Sequence, residues 1–275
     1  RGVHVIDPES GALGSGDSGV GRLAAPEEIA RRALDVLDRA GELEPAPVLA
    51  GRSVVVTAGG TREPIDPVRF LGNKSSGRQG LAVAAAAARA GASVRVIAAN
   101  IDESVMAALP SGVEVTRVGS ACEMREATMA QVIGADALVM TAAVADFRPE
   151  AAQASKMKKD PTKTDAPTLR LVRNPDILSE VGHSDIRPAL VVGFAAETGT
   201  DEEILANGAD KAARKGADYI ALNRVGAGVG FGDVPNDIRL LDVGGQIVGR
   251  YIGSKDEVAA GLVAQMADFL DNLER

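Results

Sequence analysis

The chain has 275 residues, is 45% hydrophobic and carries a formal charge of −8, the composition of a globular protein with one large core or two modest ones. The acidic balance excludes bulk nucleic-acid binding, because no basic surplus is available to displace counterions, and 3% aromatic content without Trp leaves few platforms for stacked bases. No stretch approaches the ~20 consecutive apolar residues of a membrane span, and the single cysteine, Cys122, excludes an internal disulfide and fits a reducing cytoplasm.

The two histidines, His4 and His183, lie far from Cys122 in sequence and in no nucleophile-base motif, so Cys122 reads as a packing residue. Without HExxH or paired cysteines no zinc site is expected. A magnesium ion held by carboxylates and substrate phosphates is compatible with the composition.

The chain opens on Arg1 rather than Met, with no secretory signal, as expected of a piece cut from a longer protein. Residues 1–47 form a distinct leader and linker. GVHVIDPESGALGSGDSGVGRL, rich in Gly, Ser and Asp, reads as a loop or tail. Pro26-Glu27-Glu28 then starts a helix bearing Ile29, Ala33, Leu34 and Leu37, and Pro45-Ala46-Pro47 makes a stiff linker.

Residues 48–275 form the main domain, in which strand and helix patterns alternate. Strands are expected at Val54–Thr57, Val94–Ala98, Val113–Val118, Ala137–Thr141, Leu190–Phe194 and Tyr219–Leu222. Helices are expected at Arg78–Ala90, Ala121–Val132, Asp201–Lys215 and Lys255–Leu273. Right-handed crossovers make this a doubly wound, mostly parallel α/β sheet, Rossmann-like, with ligands at the carboxyl ends of the strands. The polar stretch between Asp146 and Asn174 is too long for a routine connection and reads as a flexible, Lys-rich binding loop. IRLLDV-GG-QIVGRYIG predicts a two-residue hairpin that extends the sheet antiparallel.

The most informative stretch is Ser53–Gly80. A β-branched strand ends in Thr57-Ala58-Gly59-Gly60, and Ser75-Ser76-Gly77 opens the Ala-rich helix. Unpaired N–H groups and the positive dipole end at such a helix start favour an anion, with phosphate the first expectation. Arg62, Asp66, Arg69 and Asn73 punctuate the loop between them, which is otherwise read as a solvated surface loop. An asparagine beside the serines can orient a carbonyl or carboxylate by donating one hydrogen bond and accepting another. The dinucleotide fingerprint GxGxxG and the Walker motif GxxxxGK[ST] are both absent.

Further along, Thr141-Ala142-Ala143-Val144-Ala145-Asp146 runs an apolar strand into an acid. Asp146 either caps a turn or holds a nucleotide hydroxyl or a metal-bound water, while Ala142 and Ala143 let a substrate lie against the backbone. Lys156-Met157-Lys158-Lys159 is either a solvated charge run or a phosphate clamp. Asn174-Pro175-Asp176 makes a turn and helix cap by ordinary rules. Phe194 ends another buried strand as core or as a ligand wall. Lys211 and Lys215 stack at i,i+4 without an acidic partner at that spacing, which points to a polyphosphate.

Taken in order, GGTREPIDPVRFLGNKSSGRQG, AAVADFRP, KMKK, RNPDIL, GFAAET and KAARK resemble the bacterial phosphopantothenate-cysteine ligases of coenzyme A biosynthesis, over everything from Gly51 onward. The resemblance implies a cytoplasmic homodimer that joins 4′-phosphopantothenate to L-cysteine with CTP and Mg²⁺. The acid attacks the α-phosphate, pyrophosphate leaves, and the amine of cysteine then displaces CMP from the acyl-cytidylate. It implies catalytic roles for Asn73, which handles the acyl-cytidylate, and Lys156, the flexible-loop lysine. Arg69 is implied to reach in from a neighbouring subunit, with Asn73, Ala142 and Ala143 around the acid substrate. The implied nucleotide positions are Gly59, Ser75, Ser76, Gly77, Asp146, Lys156, Asn174, Pro175, Asp176, Ile177, Phe194, Lys211 and Lys215. Metal ligands are not identified; the ion is expected to be held mainly by the nucleotide phosphates.

The leader resembles the end of the flavin-dependent decarboxylase commonly fused ahead of this ligase, with Ser15 where family members often carry cysteine. No FMN is expected in this fragment, with the decarboxylase domain a fused partner in the parent protein. An NAD(P)-dependent oxidoreductase and a non-catalytic nucleotide-binding module are the alternatives on the same fold.

Overall fold

The computed structural model describes residues 5–6, 8–12, 18–33, 47–158, 167–197, 200–224 and 236–273. The chain divides into two compact units, Arg1–Pro47 and Val48–Arg275. In the first, β1 (Glu9–Ala12) and β2 (Ser18–Arg22) pair antiparallel, and α1 is described over residues 26–33. The leader expected as a loop is therefore in part a strand ribbon. Its hydrogen bonds are made by backbone alone, so a Gly- and Ser-rich composition hides it. Ser15, Leu34, Leu37 and His4 lie outside the described residues.

The second unit carries β3 (Ser53–Gly59), β4 (Arg62–Pro64), β5 (Phe70–Gly72), α2 (Arg78–Arg89) and β6 (Ser93–Ala99). It continues with α3 (Glu103–Met106), β7 (Glu114–Val118), α4 (Ala121–Gln131), β8 (Ala137–Met140), β9 (Phe147–Pro149) and β10 (Leu171–Arg173). It ends with α5 (Ile177–Gly182), β11 (Leu190–Glu197), α6 (Asp201–Lys215), β12 (Tyr219–Arg224), β13 (Asn236–Asp242), β14 (Ile247–Gly253) and α7 (Lys255–Leu273). All the expected strands and helices of this unit form, with ends shifted by up to three residues. The short α3, and the ribbons β4–β5 and β9–β10, have too few residues to show a period.

The main sheet has the order β14-β13-β12-β11-β8-β3-β6-β7. From β12 to β7 every pairing is parallel, and β13 and β14 add antiparallel. The chain winds outward from β3 through β6 to β7, then returns to the other side of β3 with β8. The topological switch point, where such sheets open a crevice, thus lies between the carboxyl ends of β3 and β8. The hairpin turn differs from the expected two-residue form. Asp242 N–H bonds to Gln246 O, and Gly245 takes φ 78°, a longer turn in which the second glycine supplies the left-handed residue.

Central strands read as continuous apolar runs because both faces are covered. Alternate residues feed two layers. Val54, Val56 and Ala58 pack with α2, α3 and α7, whereas Val55, Leu138 and Val191 pack with α4, α5 and α6. At the amino ends of the strands, Asp136 accepts from Ser53 N and Asp218 accepts from Val191 N, each at 2.7 Å, so carboxylates tie neighbouring strand starts together. This edge lies opposite the switch point and fixes the sheet without occupying it. Among the described residues no helix is long and apolar enough to cross a membrane.

Leu138 is fully buried in the second layer. Leu138→Ala is expected to cost about 2–5 kcal/mol through lost burial and an unfilled cavity, read as a lower urea midpoint with an unchanged denaturant slope.

Candidate functional site

The site is built on a seam that continues β3 and β8 past their last paired residues. Ala143 N–H bonds to Gly59 O at 2.8 Å, Thr61 N–H to Ala143 O at 3.2 Å, and Gly60 bridges Ala143 in parallel. Two fully buried threonines close it: Thr57 Oγ1 accepts from Ala142 N, and Thr61 Oγ1 accepts from Ala145 N at 2.9 Å. Thr141 Oγ1 donates to Thr57 O. On the β6 side Asn100, at φ 50°, donates to both Gly60 O and Gly119 O. Backbone carbonyls and amides at the strand ends are thereby consumed in holding Ala142 and Ala143 in place.

Two clefts meet at this seam, one on each face of the sheet edge, and Ala142 and Phe194 line both. On the α2 face is a cleft of ≈160 Å³ beside Ser75, Ser76, Gly77 and Ala143. Gly77 at φ 77° is the N-cap of α2 and offers no side-chain cap, and the first turn holds no acid. By contrast α3, α4, α5, α6 and α7 are capped by Asp102, Ser120, Asp176, Thr200 and Ser254. The start of α2 therefore retains free N–H groups and its positive dipole end, as the sequence predicts. Lys74, Arg78 and Lys255 line the same cleft and no carboxylate does. Gly59 stands outside both clefts. A Cβ there would lie 2.0 Å from Ala99 O, so close packing on β6 accounts for this glycine.

On the α5 and α6 face is a cleft of ≈600 Å³ that gathers Asp146, Asn174, Pro175, Asp176, Ile177, Lys211 and Lys215. Asp146 is exposed, and its carboxylate accepts no hydrogen bond among the described residues. Its backbone carbonyl takes Asn174 N–H at 2.9 Å. Asn174 also donates to Ala145 O at 2.7 Å and accepts from Arg148 at 3.0 Å, so it clamps the strand end to the β9–β10 ribbon. Asp176 caps α5 through Ser179 N at 3.2 Å, in accord with the ordinary turn-and-cap reading. The two lysines are not the unpaired cations expected from their spacing. Lys211 pairs with Glu197 at 2.7 Å and Lys215 with Asp176. Both acids come from other elements, which i,i+4 spacing cannot reveal.

Asn73, Arg69 and Lys156 line neither cleft. Asn73 is exposed and donates to Val144 O at 3.1 Å. That bond ties its amide to the chain just beyond β8. Arg69 bonds to Met157 O at 2.9 Å, and Lys156 is exposed beside it. The organiser here is Asp66, whose side chain is fully buried. It accepts from Val68 N, Arg69 N and Met157 N. Burial pushes its carboxyl up, but the three N–H bonds and the Arg69 guanidinium outweigh this and hold it below its ordinary value. The Lys-rich segment is thus docked on the 65–69 turn as far as Met157, and Lys159 lies outside the described residues. Cys122 is half-buried near the start of α4, away from both clefts.

Sequence reasoning missed Thr57, Thr61, Thr141 and Asn100. The available signal was the repeated Thr-Ala pair, Thr57-Ala58 and Thr141-Ala142, placing a hydroxyl inside otherwise apolar strands. No cluster of three or more His, Cys, Asp or Glu side chains able to hold a metal occurs among the described residues. A cation in either cleft would need oxygen ligands from a bound anion, in accord with the habit of Mg²⁺ at phosphate sites.

Residues 49–270 match the model of the DNA/pantothenate metabolism flavoprotein C-terminal domain. The chain is 44% identical over 276 residues to the coenzyme A biosynthesis bifunctional protein CoaBC of Mycobacterium tuberculosis, covering 98% of this chain and 64% of that relative. It therefore spans under two thirds of the length of the relative. A solved C-terminal domain of a coenzyme A biosynthesis bifunctional protein CoaBC has a TM-score of 0.65 at 30% identity, over 82% of this chain and 99% of that one. A Cab2 mutant solved in complex with phosphopantothenate-cysteine shares the fold, with a TM-score of 0.61 at 15% identity, over 90% of this chain and 96% of that one.

Asp66 generates a prediction about the docked loop. A carboxyl held below its usual pKa of about 3.9 keeps its stabilising effect above that pH and loses it as pH falls through the lower folded value. The Met157 amide resonance should therefore stay constant from neutral pH down to about 4 and shift only below it. In Asp66→Asn the same amide should exchange faster at neutral pH, and equal exchange in the two proteins would contradict the pinning role.

Proposed function

Because the chain belongs to the family of DNA/pantothenate metabolism flavoprotein C-terminal domains, we propose that it is a phosphopantothenate-cysteine ligase of coenzyme A biosynthesis. It joins 4′-phosphopantothenate to L-cysteine at the expense of CTP, releasing pyrophosphate and CMP. The observation that carries this reading is the pair of clefts meeting at Ala142, one lined by Lys74, Arg78 and Lys255 with no carboxylate and one large enough for a nucleoside.

A carboxylate resists an amine because oxide is a poor leaving group. Attack of the carboxylate on the α-phosphate of a nucleotide, with pyrophosphate leaving, makes a mixed anhydride whose nucleoside monophosphate is a better one. In this reading the nucleoside occupies the α5 and α6 cleft, where Asp146 has a free carboxylate for a hydroxyl, and Phe194 and Ile177 supply apolar walls. The phosphates cross the seam toward the open N-terminus of α2. Ala142 and Ala143 have only methyl groups to present, so the reacting phosphorus can approach the backbone closely. Asn73, its amide fixed by Val144, holds the acyl group while the amine attacks. Mg²⁺ bound to the phosphates would offset the charge that develops on them during transfer.

The same reading makes the protein a homodimer in the cytoplasm, fused in its parent to a decarboxylase domain. Exposed Val68, Phe70 and Leu71 on the β4–β5 ribbon stand near exposed Phe147, Leu169 and Leu171 around β9–β10. This apolar area supports a subunit contact. Arg69 lies beside it, lining with Val68 and Phe70 a separate cleft and neither of the two at the seam, which fits a role across that contact. An oxidoreductase is disfavoured by the loop between Gly59 and Gly77, which holds a ribbon where a dinucleotide site needs a tight glycine turn.

A matrix of nucleotides against acids, read as pyrophosphate release, tests the assignment. Release should require CTP and phosphopantothenate together, and amide should form only after cysteine is added. Hydride transfer, or CTP binding without turnover, would overturn it. Asn73→Asp is expected to release pyrophosphate but to form amide slower by about 10²-fold or more, the scale of a lost oriented contact; normal amide formation would remove Asn73 from the second step. Lys156→Gln should lower kcat by about 10²-fold with little change in nucleotide affinity, whereas equal losses in both would reduce the lysine to a binding contact.

A further inference from the structure

The charges that line the ≈600 Å³ cleft on the α5 and α6 face are matched in pairs except for two. Lys211 is met by Glu197 and Lys215 by Asp176. Asp146 and Arg173 are both exposed and line the cleft, yet neither side chain makes an ion pair or hydrogen bond among the described residues. An exposed arginine by itself signifies little. This one is held in place by its backbone. Arg173 ends β10 opposite Phe147, and its carbonyl accepts from Arg148 at 2.8 Å. Asn174 beside it is tied to Asp146 O and Ala145 O. Directly opposed residues of an antiparallel pair share one face, and the 46% exposed ring of Phe147 lines the cleft together with the guanidinium.

The free guanidinium needs an anion, and the phosphates of a nucleotide seated in this cleft are poorly matched to it. They leave across the seam, away from the β9–β10 ribbon, and on the ribbon side they would meet the free carboxylate of Asp146. A singly charged carboxylate fits better, because one guanidinium takes it in a bidentate pair. The amino acid brings such a group, with its carboxylate one carbon from the amine that must reach the acyl centre. The phosphate of 4′-phosphopantothenate, by contrast, stands at the far end of its chain from the reacting carboxyl. Asn73, which holds the acyl group in the reading above, is tied to Val144 O. Val144 and Phe147, the ribbon partner of Arg173, belong to one short segment and line the same cleft.

We propose that Arg173 binds the α-carboxylate of the incoming amino acid at the ribbon edge of this cleft and so sets the preference for an amino acid over a simple amine. This rests on the ligase reading above. Arg173 takes no part in the bond changes and has no role in forming the acyl-nucleotide. Its removal affects the second half-reaction alone.

Running the two half-reactions separately on the full chain tests this. Pyrophosphate release is read from CTP and 4′-phosphopantothenate without an amine, and amide formation is then read with L-cysteine or with cysteamine, which lacks the carboxylate. The unmodified chain should use cysteine with a kcat/KM above that of cysteamine by about tenfold to a hundredfold, the scale of a charge-assisted contact. Arg173→Gln should raise the KM for cysteine by the same factor, erase the preference over cysteamine and leave pyrophosphate release unchanged. Arg173→Lys, which keeps the charge but not the fork, should recover part of the preference. An unmodified chain without the preference, a comparison that needs no variant, would overturn the proposal, as would a preference that survives in Arg173→Gln. A higher KM for CTP or phosphopantothenate in the first half-reaction of that variant would overturn it too, because the arginine would then serve a phosphate. If the unmodified chain releases no pyrophosphate from CTP and phosphopantothenate, the ligase reading itself fails, a result distinct from these.

Discussion

Everything at the candidate site depends on the seam that carries β3 and β8 past the end of the sheet. Parallel strands normally separate at their carboxyl ends, since each crossover leaves toward one face. Here the strands stay together for several further residues because hydroxyls replace the missing ladder partners. Thr57 and Thr61 accept from Ala142 and Ala145, and both are fully buried, where an unpaired hydroxyl would be costly. The seam is stable for the same reason that it is narrow. It presents the methyls of Ala142 and Ala143 to the clefts, with Ala142 lining both.

Charge then separates the clefts by function. In the α5 and α6 cleft, Lys211 and Lys215 are each matched by a carboxylate, so the field there is nearly balanced and suits a nucleoside with few charges. In the α2 cleft the lysines and the arginine meet no lining acid, and a helix start adds to them. A protein with a net charge of −8 places three cations around one small cleft whose lining holds no carboxylate, and such focusing raises local anion concentration beyond what pairwise contacts imply.

Much of this was legible in the sequence. The strands at Ser53–Gly59 and Ala137–Met140 are mostly apolar runs, and the Ala-rich helix at Arg78–Arg89 has a clear start. Those elements place the open helix terminus, whereas the switch point follows from the strand order, which local pattern does not give. Residues whose meaning depends on distant partners were not legible. Lys211 and Lys215 looked free because Glu197 and Asp176 sit 14 and 39 positions away. Asp66 looked like one more charge in a surface loop, yet it is fully buried and reaches Met157 across 91 positions. Local pattern reports backbone preference and burial period, whereas pairing of polar groups is set by tertiary proximity.

The geometry also accounts for the residues that line neither cleft. In-line displacement at phosphorus requires the attacking oxygen to arrive opposite the leaving group. If the nucleoside lies on one face of the seam and the leaving phosphates on the other, the attacking carboxylate can come only from above the sheet edge. That is the direction in which Asn73 stands, tied to Val144 and exposed, with the Asp66-pinned pair of Arg69 and Met157 close by in the same loop system. In this reading Asn73 meets the proposed reaction from outside the clefts, whereas Arg69, held to Met157 on the Asp66-pinned turn, is left for a neighbouring subunit. The insert between Gly60 and Ser75, too long for a dinucleotide turn, has the length to carry both.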